Sequence, residues 1–213
     1  MRSDSVGRTP PYRIETERLV IRCWEPQDAP LLKEAIDSSL DHLRPWMPWA
    51  REEPQSLAQK VELLRHFRGR FDLGKEFVFG VFSADEGEVV GGTGLHRRVR
   101  GEAFEIGYWI RASRVGDGLA TEAVAALTRV AFELCDVDRL EIHVEPANEA
   151  SRAIPRKLGY TEEATLRRRL PSPSAEAARR DEVIFTLFAE EFATSPLASA
   201  PATAYDGTGA KVL

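Results

Sequence analysis

Two glycines separated by one residue stand just before an amphipathic segment in the middle of the chain. Gly116 and Gly118 follow an alternating run that ends at Ile110, and a helical stripe begins at Ala120. Glycine tolerates positive φ and close backbone approach to a ligand. The free amides and the dipole of a helix start favour a phosphate. The pattern predicts an anion-binding turn, with glycine serving turn geometry alone as the alternative. It is not a GxxxxGK[ST] phosphate loop, and no GxGxxG follows the first strand.

Other side chains with chemical potential lie outside this turn. Asn148 and Ser151 open a short amphipathic segment, where Asn suits an N-cap and Ser the first helical turn. Glu105 belongs to an alternating strand and could equally lie on a solvated face. His96 ends another strand and could relay a proton, although a satisfied structural histidine is the alternative.

The elements that must position these residues alternate between strand and helix. Hydrophobic patterning predicts strands over residues 13–24, 77–83, 88–95, 102–110, 139–144, 160–170 and 181–188. Helices are predicted to open at Pro26, at Pro54, after the glycine turn and at Asn148. Hairpins at both ends of this order predict a mixed sheet rather than a purely parallel one.

Composition fits a single globular domain of a cytoplasmic protein. The 213 residues are 43% hydrophobic and 30% charged, with a formal net charge of −5 that disfavours nucleic acid as a partner. Apolar runs are too short for a membrane helix, and the N-terminus lacks the apolar segment of a secretory signal. Cys23 and Cys135 form neither a disulfide framework nor a metal-ligand set, so no metal is expected.

Four segments stand in the order and spacing of one enzyme family. They are Glu105-Ile-Gly-Tyr-Trp-Ile110, Gly116-Asp-Gly-Leu-Ala-Thr-Glu-Ala123, Asn148-Glu-Ala-Ser151 and Arg156-Lys-Leu-Gly-Tyr160. Together they resemble the acetyl-CoA-binding core of the RimJ/RimL-type branch of the GNAT superfamily of N-acetyltransferases. The similarity predicts a domain over residues 12–192. A flexible segment over 1–11 would precede it. A low-complexity tail over 193–213 would follow it, with a flexible connector from residue 194 and a disordered or loosely packed end. The end of that tail, from residue 205, could alternatively form a turn or an edge strand.

The resemblance implies a mixed α/β GNAT fold and a site for acetyl-CoA as co-substrate. The expected sheet is largely antiparallel, with six or seven strands, about four flanking helices and a splay between its fourth and fifth strands, here 102–110 and 139–145. Backbone groups of Trp109 and Ile110 would pair with the pantetheine arm in that gap. Asn148 would contact the same arm, and Ser151 would lie near the thioester sulfur. The pyrophosphate would be held by the amides of Val115, Gly116, Asp117, Gly118, Leu119 and Ala120.

Three positions depart from the family pattern or strain it. Val115 stands where the family usually has Gln or Arg, although Arg114 is adjacent. Asp117 lies within a phosphate-binding loop and must therefore point outward. Pro155 occupies the position at which many related enzymes carry a tyrosine acid, so Ser151, or a water that it holds, would serve instead.

The implied reaction is direct acetyl transfer to a primary amine in a ternary complex. Glu105 is the candidate base because it shares a strand face with Trp109, and an amide of the Trp109–Ile110 edge would stabilise the oxyanion. Trp46, Trp49 and His96 are the candidate substrate-binding residues, with plain core packing as the alternative for the tryptophans. An α-amine, with a pKa of about 7.7–8.0, is more often neutral near pH 7 than lysine at about 10.4.

The acceptor expected from this reading is a protein N-terminal α-amine or a small-molecule amine. The alternatives are a non-catalytic acyl-CoA-binding module and transfer of a longer acyl chain. A homodimer resembles the family norm, and no membrane partner is expected.

Overall fold

Nine strands form one mixed sheet in the computed structural model, which describes residues 9–172 and 178–213. The strands are β1 (Arg13–Glu15), β2 (Leu19–Cys23), β3 (Phe77–Ser83), β4 (Val89–His96), β5 (Ala103–Ile110), β6 (Arg139–Val144), β7 (Thr161–Leu170), β8 (Arg180–Phe188) and β9 (Thr203–Tyr205). Their order across the sheet is β7-β8-β6-β5-β4-β3-β2-β1-β9. Every neighbouring pair is antiparallel except β5 and β6, which are parallel.

Six α-helices cover the sheet within the described part of the chain. They are α1 (Ala29–Asp37), α2 (Leu40–Leu43), α3 (Leu57–Asp72), α4 (Leu119–Leu134), α5 (Glu149–Lys157) and α6 (Ala189–Thr194). None of these described helices combines the length and the apolar character that crossing a bilayer requires. The helix α4 buries the predicted stripe, including Val124, Leu127 and Ala131, against the larger core.

The alternation of β5 divides the core between two faces of the sheet. Tyr108 and Ile110 pack against the cluster that contains α4, whereas Trp109 packs against a second cluster built from α1, α3 and Trp24. This division is the period-two pattern that the sequence of the strand predicts. Residues 105, 107 and 109 therefore share the face that carries α1 and α3.

The predicted fold class is confirmed, with more elements than expected. The predicted strand over 13–24 is two strands, because Thr16 donates its amide to the Leu19 carbonyl at 2.9 Å and the chain turns there. The additional β9 comes from the C-terminal tail, and the two extra helices, α2 and α6, have four and six residues. The expected six or seven strands and about four helices did not include these short elements.

The expectation of a disordered or loosely packed tail over 193–213 was wrong. β9 pairs antiparallel with β1, in register from Arg13↔Tyr205 to Glu15↔Thr203. Leu197, Ala200 and Ala204 are buried. Small residues allow close packing, and β1 would otherwise present an unpaired edge. The segment from residue 205 forms the turn that was one of its two alternatives, closed by the Tyr205↔Lys211 bridge, and the edge strand lies just before it. The flexible segment expected over 1–11 lies, up to residue 8, outside the described residues.

Candidate active site

The sheet forks between β5 and β6. The two strands are paired only at Ala103↔Arg139, Phe104↔Leu140 and Glu105↔Glu141. Their outer partners continue further, with β4 paired to β5 as far as Ile110 and β6 paired to β8 as far as Val144. The backbone of Trp109 and Ile110 therefore faces an opening rather than a neighbouring strand. An extended ligand could pair with this free edge.

The glycine turn presents a row of free amides at the start of α4. Gly116 and Gly118 both have positive φ, at 93° and 78°, and Gly118 is the N-cap of the helix. The first helical bond runs from the Glu122 amide to the Gly118 carbonyl, and the amides of residues 116–121 donate to no acceptor in the described part of the chain. Such a row at the positive end of a helix dipole suits an anion.

Two arginines orient this turn from behind. Arg18 donates to the carbonyl of Asp117 at 2.9 Å and to the carboxylate of Glu122. Arg114 holds the carboxylate of Asp117 at 3.0 Å, with that side chain 48% exposed. Asp117 therefore points away from the amides, as its position in the motif required. Of the other residues assigned to the turn, Val115 is exposed and Leu119 is anchored in the core.

The start of α5 lies across the fork from β5. Asn148 caps the helix, since its side-chain oxygen accepts from the Ser151 amide at 3.1 Å. The Tyr108 hydroxyl lies 3.1 Å from Ser151 Oγ and 3.0 Å from the Ser151 carbonyl oxygen. Burial raises the pKa of Tyr108 to about 12, although the hydrogen bond with Ser151 opposes the shift. Tyr108 therefore remains protonated at neutral pH as a hydroxyl donor beside Ser151.

The floor of a cleft of about 690 Å³ is made by β4 and β5. Register pairs place Gly92 beside Trp109, Gly94 beside Gly107, and His96 beside Glu105, all on the face of α1 and α3. A Cβ at Gly92 would stand 2.5 Å from the Trp109 indole nitrogen, so only glycine there lets the indole lie flat on the sheet. Glu105 is 14% exposed and lies 3.4 Å from Arg98.

The loop between α2 and α3 forms the opposite wall of this cleft. Trp46, Met47 and Trp49 line it, and Trp49 meets Trp109 edge-to-face with ring centroids 5.8 Å apart. Trp49 is 37% exposed, so the loop is not plain core at this position. The structure thus brings Trp46, Trp49, His96, Glu105 and Ser151 to one cleft.

A buried ion pair fixes the base of the tryptophan loop. Lys60 of α3 is fully buried and pairs with Glu53, whose second carboxylate oxygen accepts from the Gln55 amide at 2.8 Å. Arg44 donates to the Glu53 carbonyl at 3.0 Å. Since breaking a buried pair leaves an uncompensated charge, removal of either partner is costly. The pair therefore holds the cleft wall in one position.

Three cleft residues were not identified as site residues from the sequence. Tyr108 reads as one more inward residue of an alternating strand, and Glu76 precedes β3 with no motif around it. His143 alternates away from the core of β6, a pattern typical of a surface residue, but it is partly buried on the cleft between Glu141, at 2.8 Å, and Glu182, at 3.4 Å. Among the described residues, no group of three or more His, Cys, Asp or Glu side chains could hold a metal ion.

A mixed sheet that forks, with a free-amide turn following the forked strand, is the arrangement that the resemblance to acetyltransferases implied. The family model for the acetyltransferase (GNAT) domain matches residues 18–161. The chain belongs to this family, and it is an acetyltransferase.

Three known acetyltransferases are similar to this chain. The chain is 30% identical over 162 residues to the [ribosomal protein uS5]-alanine N-acetyltransferase of Escherichia coli, a match that covers 74% of this chain and 82% of that enzyme. It is similar to the structure of Mycobacterium smegmatis RimJ in complex with CoA-disulfide, with a TM-score of 0.76, 26% identity and coverage of 91% of this chain and 98% of that one. RimL, the ribosomal L7/L12 alpha-N-protein acetyltransferase, shares the fold with a TM-score of 0.73 at 18% identity, over 83% of this chain and 97% of that one.

Proposed function

We propose that the protein transfers an acetyl group from acetyl-CoA directly to a primary amine, above all the N-terminal α-amine of a protein. The observation that carries the proposal is the fork between β5 and β6, bounded at one end by the free amides of residues 116–121 and crossed by the Tyr108–Ser151 hydrogen bond. This arrangement supports a ligand that is extended, has hydrogen-bonding groups in its middle that can pair with a strand edge, and is anionic at one end.

The cofactor-binding roles follow from this arrangement. The amides of residues 116–120 would hold the pyrophosphate, without that of Val115, which already donates to the Ala112 carbonyl at 3.4 Å. The backbone of Trp109 and Ile110 would pair with pantetheine. Asn148 would keep its capping role while it contacts the same arm. The CoA complex of the similar RimJ structure supports this reading.

Direct transfer is supported by the state of the two cysteines. Cys23 and Cys135 are both buried, and burial raises the pKa of each thiol, to about 12 for Cys135. A cysteine that carries an acyl group needs an accessible thiolate. Neither cysteine is placed to supply one, which favours direct attack of the amine on the thioester.

Glu105 and Ser151 divide the proton transfers of this reaction. Glu105 lies on the cleft floor at the last pair before the fork and would take a proton from the attacking nitrogen. Ser151 would donate a hydrogen bond to the departing thiolate, and the Tyr108 hydroxyl behind it would replenish that donor. Tyr108 thus compensates for the family tyrosine that Pro155 replaces.

The cleft suits a cationic acceptor that enters end-on. Of the described residues, six glutamates line it, among them Glu105, Glu145 and Glu182, against three cationic side chains, those of Lys60, Arg98 and Arg180. An excess of carboxylates in a concave site concentrates cations. Trp46 and Trp49 would cover the first side chain of the acceptor. The name of the Escherichia coli relative, which specifies the alanine of a ribosomal protein, supports an N-terminal α-amine.

A binding measurement followed by a turnover measurement tests the proposal. A native-state ligand at about 100 times its Kd stabilises by roughly 2.7 kcal/mol, which for a chain of this size raises Tm by about 5–10 °C. Thiol release from acetyl-CoA is then measured with alanine- and serine-starting peptides, with the same peptides blocked at the N-terminus but carrying lysine, and with a polyamine. We expect turnover with the free N-termini. Absence of both a thermal shift and calorimetric binding at millimolar acetyl-CoA would refute the proposal.

A further inference from the structure

His96 lies flat on the cleft floor beside Glu105. It ends β4, its side chain is only 11% exposed, and it is the register partner of Glu105. Its ring covers two glycines, since a Cβ added at Gly94 or Gly107 would stand 2.8 or 3.2 Å from Nε2. Because Gly94 and Gly107 are register partners without side chains, the imidazole ring of His96 can lie against the backbone of both strands.

Glu76 fixes which nitrogen of His96 carries the proton. Nδ1 lies 3.1 Å from Glu76 Oε1. Burial opposes ionisation of Glu76, but the hydrogen bond with His96 and the charges of His96, Arg70 and Arg98 outweigh it and lower the pKa of Glu76. A carboxylate accepts, so Nδ1 is the donor and the lone pair is on Nε2. Nε2 has no hydrogen-bond partner among the residues that the structure describes.

His96 is neutral at the pH of the cell. Burial and the positive charge of Arg98 lower its pKa from 6.5, against the opposing effect of Glu76 and Glu105. The charged groups that face the ring are thus Arg98, which follows β4, Glu105 of β5, and Glu76, which precedes β3. The result is a neutral imidazole with an open lone pair on the face of the cleft that Glu105 shares.

The proposed reaction removes two protons from the acceptor nitrogen. An amine arrives near pH 7 mostly as an ammonium ion and leaves as an amide with one hydrogen on nitrogen. Glu105 can take only one of these protons. We propose that His96 Nε2 is a second catalytic group, which takes the first proton from the incoming ammonium, and that Glu76 is its positioning residue.

If the proposed function holds, the two protons leave the acceptor nitrogen in separate steps. An N–H bond of the ammonium breaks and an Nε2–H bond forms, which leaves a neutral amine and an imidazolium held by Glu76. The amine attacks the thioester carbonyl, Glu105 takes the second proton, and the C–S bond breaks. The thiolate takes its proton through Ser151 and Tyr108, which regain it from solvent, and Glu105 and His96 each release one proton to solvent, so that one proton is released per turnover.

This role favours α-amines over lysine as acceptors. Proton transfer from an α-ammonium to a histidine of ordinary pKa 6.5 has an equilibrium constant that is unfavourable by roughly 20-fold. Transfer from a lysine ammonium to the same histidine is unfavourable by a factor on the order of 10⁴. The lowered pKa of His96 makes both steps harder by the same factor. The base thus matches a substrate of low pKa.

Two acceptor peptides distinguish removal of the first proton from removal of the second. Acetyl transfer is measured at pH 7 with an alanine-starting peptide and with the same peptide beginning in an aminooxyacetyl group, whose amine is already neutral. An α-amine with a pKa of about 7.7–8.0 is already roughly 10–20% neutral at pH 7, so loss of the group that removes the first proton costs at most about 10-fold. We expect His96→Gln to lose about 5- to 10-fold in kcat/KM with the first peptide and less than about twofold with the second. Glu105→Gln should lose activity with both. His66→Gln, at an exposed position on α3, is the matched control.

Equal losses of His96→Gln with the two peptides, at wild-type acetyl-CoA affinity, would overturn the inference. An inactive wild-type enzyme would instead refute the proposed function. If His96→Gln fails to fold, Glu76→Gln decides: its amide oxygen still accepts from Nδ1, but the imidazolium loses its counter-charge. The acidic limb of the pH–rate profile should then move to lower pH and the plateau should fall. An unmoved limb would show that Glu76 and His96 have only a structural role.

Discussion

Replacement of Gly118 tests whether the free-amide turn holds the phosphates of the cofactor. Gly118 has a φ of 78°, and the nearest atom to an added Cβ would be Arg18 Nη2 at 3.7 Å. The free protein therefore has room for a side chain, and the direct cost is conformational. A left-handed residue costs about 1–2 kcal/mol, offset by about 0.4–1 kcal/mol through the unfolded chain. Gly118→Ala should thus lower Tm by only about 2–4 °C.

The effect of Gly118→Glu on acetyl-CoA affinity should be much larger. At roughly 5 Å from a phosphate charge and an effective dielectric constant of about 20, a new carboxylate repels it by about 3 kcal/mol. That energy corresponds to a Kd raised on the order of 10²-fold, before any clash is counted. Isothermal titration calorimetry measures it directly, and repulsion predicts that the loss shrinks at high salt.

Gly209 supplies the matched control for backbone strain. It has a φ of 82°, nothing within 4 Å of an added Cβ, and an exposed position in the C-terminal turn. Gly209→Ala and Gly209→Glu should lower Tm about as much as the Gly118 variants but leave the Kd of acetyl-CoA unchanged. If Gly118→Glu binds acetyl-CoA as the wild type does, the phosphates lie elsewhere and the reasoning fails.

Two further predictions concern the groups on either side of the thioester. Glu105→Gln should lower kcat by about 10²–10⁴-fold near neutral pH with acetyl-CoA affinity nearly unchanged, and the loss should shrink at high pH; a wild-type pH–rate profile would exclude Glu105 as the base. Tyr108→Phe and Ser151→Ala should each lower kcat less than this, because the CoA thiol, taken to resemble cysteine with a pKa of about 8.5, is a tolerable leaving group. If both act on one donor, Tyr108→Phe added to Ser151→Ala should cost little more, and additive losses in a double-mutant cycle would contradict the shared role.

The local motifs of the site could be predicted from the sequence because their geometry is set within a few residues. The positive φ of Gly116 and Gly118 and the cap at Asn148 follow from residue type and the next turn of helix. The outward position of Asp117 followed from the phosphate-binding role that the resemblance implies for its loop. The sequence could not show that Arg114 and Arg18 would hold this turn, since Arg18 lies about a hundred residues away.

Contacts that depend on strand register could not be predicted from one sequence. Glu76 meets His96 only because β3 and β4 pair with Phe77 opposite Leu95. Tyr108 meets Ser151 because the fork allows α5 to approach β5. The tail was mistaken for a flexible segment because its Ala, Ser and Pro content resembles a linker, whereas its alanines pack closely against the sheet edge.

The fork explains how one strand can serve both ends of the proposed reaction. Neighbouring residues of a strand point to opposite faces, so Glu105 lies with His96 over the α1 and α3 side, and Tyr108 lies with Ser151 on the α4 side. In a closed sheet these faces would be separated by a continuous layer of backbone. Since β5 and β6 part after Glu105, a group in the gap can contact both faces at once. Proton acceptors for an amine then lie on one side of the thioester and hydroxyl donors for the thiolate on the other, which keeps the incoming and the departing proton apart.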